Sequence, residues 1–367
     1  MKPPSERIPS ALAACKAGLR KGREKGVQLY ASLRGETCAS LALGESRGGV
    51  AMSTDSVLLW ISMSKPVMGV AFGQLLERGL VELDDRVAQH LPEFAQGGKD
   101  EITLRHLLTH TAGFRGAWRE WIAPAFDEVV AIVCAAPQED GWQPGVSCGY
   151  NVAAAWYVLA AVLQRVDGRD YGRYARQEIF EPLGMDDCWI GLPAERFHAY
   201  ADRVGVMPFL ENGEWRDDPA WGSEAGCAVL RPGGNGHGPM RQLGRLYEMF
   251  LGGGELDGRR VLRPETVARI SERHTQGLFD QTFGGVYDRG LGVVLDSGQH
   301  AKGSRWFGPH ASPRAFGHQG FFSSVSFCDP DADLAVALVF HGVRADAEHD
   351  RRVDQVVGSL YVDLDLA

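Results

Sequence analysis

Apolar residues recur along the chain with two different periods, and these periods predict the order of helices and strands. Spacing of three to four residues predicts an amphipathic first helix over residues 7–25. Two short apolar runs follow, at residues 27–33 and 39–43, and the turn at residues 34–36 between them predicts a β-hairpin. A nearly continuous apolar run then indicates a buried helix that begins near Ser62 and ends at about Arg78.

The middle of the chain shows helical spacing, whereas its last third includes strand-like runs. Helices are predicted over residues 102–108, 126–135, 152–165, 171–180, 241–252, 264–273 and 348–360. Strands are predicted over residues 291–295, 322–327 and 334–340, with a turn at 329–331 between the last two.

These elements predict an α+β fold in which one antiparallel sheet is built from both ends of the chain. The sheet would be flanked by N- and C-terminal helices, and an all-α domain would be inserted between its strands. We expect residues 1–75 and 220–367 to form an α/β lobe and residues 76–219 to form a helical lobe. The cleft between two lobes is a natural place for an active site.

Length and charge exclude several classes of protein. The chain has 367 residues, which is long for one compact core and suits two lobes. Its net charge is −9 and it contains no basic stripe, so a nucleic-acid partner has no electrostatic support. No apolar run approaches the roughly 18 residues of a membrane span, so we expect no membrane partner.

The cysteines do not form the pattern of a disulfide framework or of a zinc site. They are seven in number, an odd count, and no two of them form a C-x-x-C pair. Residues 12–15, which end in Cys15, resemble a bacterial lipoprotein cleavage box. However, the residues before them contain three prolines and several charges instead of an apolar stretch. We therefore expect a cytoplasmic protein.

Ser62 and Lys65 form an S-x-x-K pair at the start of the predicted buried helix. Residues three apart lie on one face of a helix, so the hydroxyl and the amine can touch. A serine hydroxyl becomes a nucleophile when a base takes its proton, and lysine is such a base when burial lowers its pKa. Pro66 indicates that Ser62 lies near the helix N-terminus, where free N–H groups stabilise negative charge. The same short motif also occurs at ordinary helix starts.

Tyr150 is a second candidate for proton transfer. It ends the segment 144–150, directly before a predicted helix. A lysine ammonium beside it would favour the phenolate, so that Tyr150 and Lys65 would titrate as a coupled pair. The alternative is a packed aromatic residue at a helix start.

The segment 316–321 contains His318 and Gly320 and precedes a predicted strand. A backbone N–H after Gly320, paired with the N–H of Ser62, would make an oxyanion hole for an acyl-transfer reaction. The alternative for His318 is a structural histidine in a loop.

His106 and His110 are four residues apart on a predicted helix, a spacing that also suits two metal ligands. Leu107 stands where the glutamate of an H-E-x-x-H site would be. We therefore expect a packed structural role for both histidines and no metal.

Five motifs in their order resemble those of the serine β-lactamase-like family. They are S-x-x-K at Ser62, L-L-T-H-T-A-G-F at 107–114, P-G-x-x-x-x-Y ending at Tyr150, P-L-G-M at 182–185 and H-x-G at His318. The family includes class C β-lactamases, DD-peptidases, related bacterial carboxylesterases and transacylases of secondary metabolism. The resemblance covers residues 54–340 and implies the β-lactamase/transpeptidase-like fold.

The resemblance also implies a role for each matching residue. Ser62 resembles the nucleophile, Lys65 the adjacent base and Tyr150 the catalytic tyrosine. The backbone N–H groups of Ser62 and Phe321 resemble the oxyanion hole. The expected substrate-binding residues are His318, Gly320, Val152 and Trp306.

Some positions depart from the pattern of the penicillin-recognising members. Val152 replaces an asparagine that holds a substrate amide, and His318 replaces a lysine that meets a substrate carboxylate. Phe321 and Phe322 add bulk on the strand that we expect to run past the substrate. These departures argue against recognition of β-lactams or D-Ala-D-Ala and favour an ester, thioester or amide of another small molecule.

The sequence therefore predicts a cytoplasmic serine acyl-transfer enzyme that forms an acyl-enzyme on Ser62 and acts as a transacylase, esterase or amidase. Its partners would be a small-molecule acyl donor and acceptor, and the mechanism requires no metal or organic cofactor. One alternative is β-lactamase or DD-peptidase activity. The other is a non-catalytic binding or scaffold protein on the same fold. The sequence leaves open the oligomeric state and the choice between hydrolysis and acyl transfer.

Overall fold

The computed structural model describes residues 4–118, 120, 125–344 and 346–367. Its strands, in chain order, are β1 (Gly26–Leu33), β2 (Glu36–Arg47), β3 (Val50–Ala51), β4 (Leu58–Ile61), β5 (Trp189–Ile190), β6 (Pro208–Glu211), β7 (Glu214–Asp217), β8 (Gly236–Gly238), β9 (Glu255–Leu256), β10 (Arg259–Arg260), β11 (Phe279–Asp280), β12 (Gly285–Val286), β13 (Val294–Leu295), β14 (Phe316–Gly320), β15 (Ser324–Asp329) and β16 (Leu334–His341).

Helices occupy much of the remaining chain. They are α1 (Pro4–Arg7), α2 (Pro9–Arg20), α3 (Lys65–Glu77), α4 (Val87–His90), α5 (Leu104–Leu108), α6 (Phe126–Ala135), α7 (Ala154–Asp167), α8 (Tyr171–Ala175), α9 (Ala194–Tyr200), α10 (Pro219–Gly222), α11 (Glu224–Ala228), α12 (Met240–Leu251), α13 (Pro264–Ile270) and α14 (Asp346–Asp363). Tighter 3₁₀ turns cover Ser62–Ser64, Pro92–Gly98 and Ala201–Arg203, and a π turn covers Arg176–Phe180.

The largest sheet joins the two ends of the chain. Within the described residues its order is β13-β14-β15-β16-β1-β2-β3, and every neighbouring pair is antiparallel. β1 pairs with β16 along its whole length, from Gly26 opposite His341 to Leu33 opposite Leu334. Because this pair links the first and the last strand, the sheet needs contacts of very high sequence separation, which are slow to form.

Helices cover both faces of the central strands, which explains their almost continuous apolar sequence. On one face, α2 and α14 pack on alternate residues of β1, namely Val27, Leu29 and Ala31. On the other face, α12 crosses β1 and β16, and Tyr30 joins the core that these strands share with α3.

Helix α3 runs through the protein interior and begins at the candidate nucleophile. Its residues from Lys65 to Leu75 are all buried, as expected for a helix that is apolar on every side. The 3₁₀ turn Ser62–Ser64 leads directly into it, so Ser62 lies at the N-terminal end. Pro66 occupies the first turn, where a missing N–H has no helical partner to lose.

The predicted α+β class with one large antiparallel sheet is confirmed. The lobe boundaries near residues 75 and 220 stay a prediction. The segment between them contains helices α4 to α9, as expected, together with the short strands β5, β6 and β7. Strands of two to four residues carry too little periodicity to be read from sequence.

The strands beside the candidate site differ from the prediction. The segment of His318, which we expected to precede a strand, is itself strand β14, and the strand predicted over residues 322–327 is β15, which begins at Ser324. Phe322 has a φ of 44°, so the chain turns here instead of continuing as a strand. The strand predicted over residues 291–295 is reduced to β13. β14 is rich in glycine and polar residues, and it forms because both neighbouring strands supply hydrogen-bond partners.

The cysteines lie in the protein interior, and one of them belongs to the N-terminal helix α2. The seven cysteines are free and buried. Cys15 lies in α2 with its side chain in the core between that helix and the sheet. Across the described ranges, no helix combines the length and the apolar character needed to cross a membrane.

Gly244 lies where α12 crosses β1, and its lack of a side chain sets their separation. A Cβ here would lie 2.2 Å from the ring of Tyr30, whose hydroxyl donates a 2.7 Å hydrogen bond to Glu248. We predict that Gly244→Ala lowers the free energy of unfolding by about 1–3 kcal/mol, because overpacking outweighs the gain in helix propensity. Urea unfolding measures the change. Gly48→Ala is the matched control, since a Cβ there meets no atom within 4 Å. Equal losses in both variants would contradict the prediction.

Candidate active site

The turn that presents Ser62 is strained and firmly held. Ile61 has φ 52° and ψ −127°, a conformation that a β-branched residue adopts only when its surroundings impose it. The hydroxyl of Ser64 donates to the Ile61 carbonyl at 2.6 Å and accepts from the Gly236 N–H at 2.9 Å. Ser64 is fully buried, whereas Ser62 is 8% exposed and borders a cavity. The hydroxyl of Ser62 therefore faces the cavity, whereas that of Ser64 stabilises the backbone of the turn.

Ser62, Lys65 and Tyr150 meet at one point. The Lys65 Nζ lies 3.0 Å from the Ser62 Oγ, within hydrogen-bond distance, and the Tyr150 hydroxyl donates to the same oxygen at 2.7 Å. The structure thus brings together the three side chains that the sequence nominated as a catalytic set. Their contact is the geometry that activates a hydroxyl nucleophile.

Lys65 is enclosed by the protein and bound to neutral oxygens. In addition to its contact with Ser62, the Nζ donates to two carbonyls, that of Gly233 at 2.7 Å and that of Val152 at 3.2 Å. Burial lowers the pKa of Lys65 well below its ordinary range, and the charges of Arg231 and Arg289 act in the same direction. These effects favour the neutral amine, whose lone pair can accept the Ser62 proton.

Tyr150 is clamped between two rings. His110 stacks on one side at a centroid distance of 4.7 Å, and Phe283 stacks at 4.8 Å. Burial raises the pKa of Tyr150 to about 12, although the hydrogen bond to Ser62 opposes this. The ammonium–phenolate pair that the sequence suggested is therefore disfavoured, and the free site holds a neutral amine beside a neutral phenol.

A cavity of about 450 Å³ opens onto Ser62 and Tyr150. Its apolar lining consists of Ile61, Val152, Trp221, Phe283, Tyr287, Trp306, Phe321 and Phe322. Its polar side chains include Arg231, Thr282, His318 and Gln319, and in the described part of the chain no carboxylate lines it. Such a cavity suits a mainly apolar ligand that is either neutral or carries one negatively charged group.

His318 and Gly320 lie on β14, next to the nucleophile. The His318 Nδ1–H donates to the Gln319 carbonyl at 2.7 Å, which leaves Nε2 without a hydrogen-bond partner among the described residues. Burial lowers the pKa of His318 well below its ordinary range, and the charge of Lys65 adds to this, so the ring is neutral. A Cβ on Gly320 would lie 2.7 Å from the Trp60 carbonyl, so glycine lets β14 approach the Ser62 turn.

Phe321 and Phe322 lie in the turn between β14 and β15. We expected them on the strand that runs past the substrate, and that expectation is wrong. Their rings lie 4.5 Å apart, and both line the cavity. Phe321 and Ser62 border the same cavity, which is compatible with an oxyanion hole built from their two N–H groups. Their role as donors stays a prediction.

Val152 and Trp306 also line the cavity, as substrate-binding residues would. The carbonyl of Val152 additionally holds Lys65. The ring of Trp306 lies 5.4 Å from that of His318 and packs against Phe283 and Tyr287.

Several site residues escaped the sequence analysis because no local motif marks them. The carbonyl that binds Lys65 belongs to Gly233, in a glycine cluster that predicts only a loop. The ion pair of Asp280 and Arg289 lies against Tyr150, although both residues are far from it in sequence. The sequence offers one weak signal for Arg289: two adjacent charged residues, 288 and 289, stand just before the apolar run at 291–295.

His106 and His110 have structural contacts, as expected. The His106 Nδ1 accepts the N–H of Thr103 and helps to cap α5. The His110 Nδ1 accepts the N–H of Asn151 at 2.8 Å. Over the residues that the structure describes, no group of histidine, cysteine, aspartate and glutamate could hold a metal ion.

Comparison with known proteins gives similarity along nearly the whole chain. A family model described as Beta-lactamase matches residues 12–359. Esterase EstB of Burkholderia gladioli is 28% identical over 343 residues, which cover 83% of this chain and 84% of EstB. Esterase/beta-lactamase LipL of Mycobacterium tuberculosis (strain ATCC 25618 / H37Rv) is 26% identical over 329 residues, covering 80% of this chain and 71% of LipL.

A solved structure shares the fold as well. The crystal structure of a penicillin-binding protein homolog from Caulobacter crescentus superposes with a TM-score of 0.83 at 27% identity, covering 99% of each chain.

A fluorophosphonate, which reacts with activated serine hydroxyls, should add one label, on Ser62. Ser62→Ala should abolish the label and reduce activity on the order of 10³-fold or more, because the nucleophile is lost. Ser64→Ala is the matched control: it should lose stability, since Ser64 supports the turn, and keep the label. Peptide mass spectrometry locates the label, and a label on Ser64 would overturn the assignment.

Lys65→Ala and Tyr150→Phe should each slow the labelling of Ser62, because each removes a group that contacts its Oγ. If both serve one proton-transfer step, the double variant should be little slower than the slower single variant. Stopped-flow labelling of the three variants measures this, with circular dichroism as the control for folding. Fully additive losses in activation free energy would show that the two groups act in separate steps.

Proposed function

The chain belongs to the beta-lactamase family and is a serine hydrolase or acyltransferase, and we propose that it transfers the acyl group of a small-molecule ester or amide through an acyl-enzyme on Ser62. The contact of the Ser62 Oγ with both Lys65 and Tyr150 carries this proposal. A chain that served only as a scaffold would not require a fully buried lysine beside a serine.

Acylation begins with the neutral amine of Lys65. It takes the proton of Ser62 while the Oγ attacks the carbonyl carbon of the donor, and the carbonyl oxygen becomes an oxyanion. Backbone N–H groups of Ser62 and Phe321 would stabilise that charge. Tyr150, within hydrogen-bond distance of the same Oγ, is placed to pass a proton to the leaving alcohol, amine or thiol.

Deacylation uses the same groups in the reverse order. The acceptor is water in a hydrolase and a second metabolite in a transacylase. Tyr150, left as the phenolate after acylation, removes the acceptor proton as the acceptor attacks the ester, and the Lys65 ammonium returns a proton to the Ser62 oxygen as it leaves. Each proton and bond of the cycle is thus accounted for by the chain and its two small-molecule substrates.

The cavity wall supports an apolar acyl group. Aromatic side chains surround Ser62, and the neutral His318 offers no positive charge for a substrate carboxylate at the family's lysine position. Both features favour donors other than penicillins and peptidoglycan peptides. They also leave little polar surface that could hold and activate a water molecule near the ester.

A second candidate function is β-lactamase activity. Arg231 lines the cavity, and a guanidinium is the side-chain group that binds a carboxylate through paired hydrogen bonds. The relative LipL carries both esterase and beta-lactamase in its name. Measured opening of benzylpenicillin therefore decides between the two candidates.

An activated ester should acylate Ser62, and a primary amine or alcohol should then release the acyl group much faster than water does, because the apolar cavity excludes water and binds the acceptor. Product partitioning across a range of acceptor concentrations measures this preference. Free acid as the main product at every acceptor concentration would leave a plain esterase. Opening of benzylpenicillin with a kcat/KM of about 10⁴ M⁻¹s⁻¹ or more would favour the β-lactamase alternative.

A further inference from the structure

A buried ion pair lies against Tyr150 and has no part in the reaction scheme above. The Arg289 Nη2 donates to the Asp280 Oδ2 at 2.6 Å, and the side chains of both residues are at most 1% exposed. Taking two charges out of water is costly, and a pair of apolar side chains is often as stable. The position of this ion pair beside Tyr150 therefore indicates that it has a role in function as well as in stability.

The carboxylate of Asp280 fixes the backbone around Tyr150. Its Oδ1 accepts the N–H of Tyr150 at 3.2 Å and the N–H groups of Thr282 and Phe283 at 2.8 and 3.0 Å. The Thr282 hydroxyl returns a hydrogen bond to the Tyr150 carbonyl at 3.2 Å. One carboxylate thus ties Tyr150 to the segment that carries Phe283, and the Phe283 ring stacks on the phenol.

The guanidinium of Arg289 contacts the aromatic rings of Tyr150 and Tyr287. Its Cζ lies 5.4 Å from the ring centre of Tyr150 and 5.6 Å from that of Tyr287. A guanidinium keeps its charge at every pH at which the protein is folded. It is thus a permanent positive charge inside the site, where the low dielectric makes its influence larger than in water.

We propose that Arg289 and Asp280 are positioning residues, which fix the phenol of Tyr150 over Ser62 and tune the proton transfer to Lys65 by their opposite charges. The inference rests on the proposed function. The ionisable and charged groups that face this region are Lys65, His110, Arg115, Cys148, Tyr150, Arg231, Asp280, Tyr287, Arg289 and His318.

The two charges have opposite effects on the site. Burial is the main cause that lowers the pKa of Lys65, and Arg289 lowers it further after Arg231. Burial raises the pKa of Tyr150, which Arg289 lowers and Asp280 raises. Loss of the Arg289 charge therefore raises the pKa of the base, and more alkaline solution is needed to deprotonate it. Asp280 neutralises part of the Arg289 charge, so loss of the Asp280 carboxylate leaves Arg289 unpaired and lowers the pKa of the base and of Tyr150.

The test is the pH dependence of the rate at which a fluorophosphonate labels Ser62. The rate should rise with pH as the base loses its proton. Arg289→Met should move this rise upward by roughly one pH unit, and Asp280→Asn should move it downward. Arg289→Lys keeps the positive charge and should keep the wild-type pH profile, with slower labelling because the forked hydrogen bonding is lost.

Arg273→Met is the matched control. Arg273 pairs with the buried Asp288 at 2.5 Å; Asp288 precedes Arg289 in the chain, but its carboxylate is bound by Arg273, Gln299 and His300. This variant should lose stability without a shift in the pH profile. If the Arg289–Asp280 pair had a purely structural role, Arg289→Met and Asp280→Asn would also lose stability without a shift in the pH profile. Only the proposed electrostatic role gives a reason for shifts in opposite directions.

Unshifted profiles in folded Arg289→Met and Asp280→Asn would overturn the inference, as would an equal shift in Arg273→Met. If Arg289→Met does not fold, the downward shift in Asp280→Asn and the retained profile in Arg289→Lys decide it. A wild-type protein that takes no label on Ser62 would overturn the proposed function and this inference with it. A labelled wild type with unshifted variants overturns the inference alone.

Discussion

The enclosure of the Lys65 amine is the constraint on which the rest of the site depends. An ammonium moved out of water without a counter-charge is so unfavourable that the group gives up its proton instead. The protein meets its remaining hydrogen-bonding needs with two backbone carbonyls and the Ser62 oxygen. This arrangement requires the apolar surroundings of α3 on every side. Burial of one helix thus gives Lys65 the lowered pKa that the proposed base requires.

Rigid packing then fixes the partners of that base. The strained φ of Ile61 persists because Ser64 and the pairing of β4 with β8 hold the turn on both sides. Tyr150 has rings on both faces, and its backbone is tied to Asp280. Three side chains from two separate segments are therefore held at hydrogen-bond distance before any substrate arrives. Such preorganisation avoids the cost of ordering them during the reaction.

The charges around the site favour a reaction in which negative charge develops. Arg231 and Arg289 both lower the pKa of Lys65, and they place positive potential close to the oxygen that would become an oxyanion. Aromatic side chains line the cavity beside these charges and lower the local polarity around them. The proposed preference for acyl transfer over hydrolysis rests on the same apolar wall, which would limit access of water to an ester on Ser62.

The sequence alone determined the fold class, the order of the longer elements and the three side chains at the centre of the site. Helical spacing at α6 and α12 and the apolar runs of β1 and β16 depend on local period, which is readable without a structure. The order of five motifs supplied Ser62, Lys65 and Tyr150. Only the tertiary structure decided that β14 is a strand, that Gly233 holds Lys65, and that Asp280 and Arg289 frame Tyr150. These features arise from contacts between distant segments, and no local period or spacing encodes them.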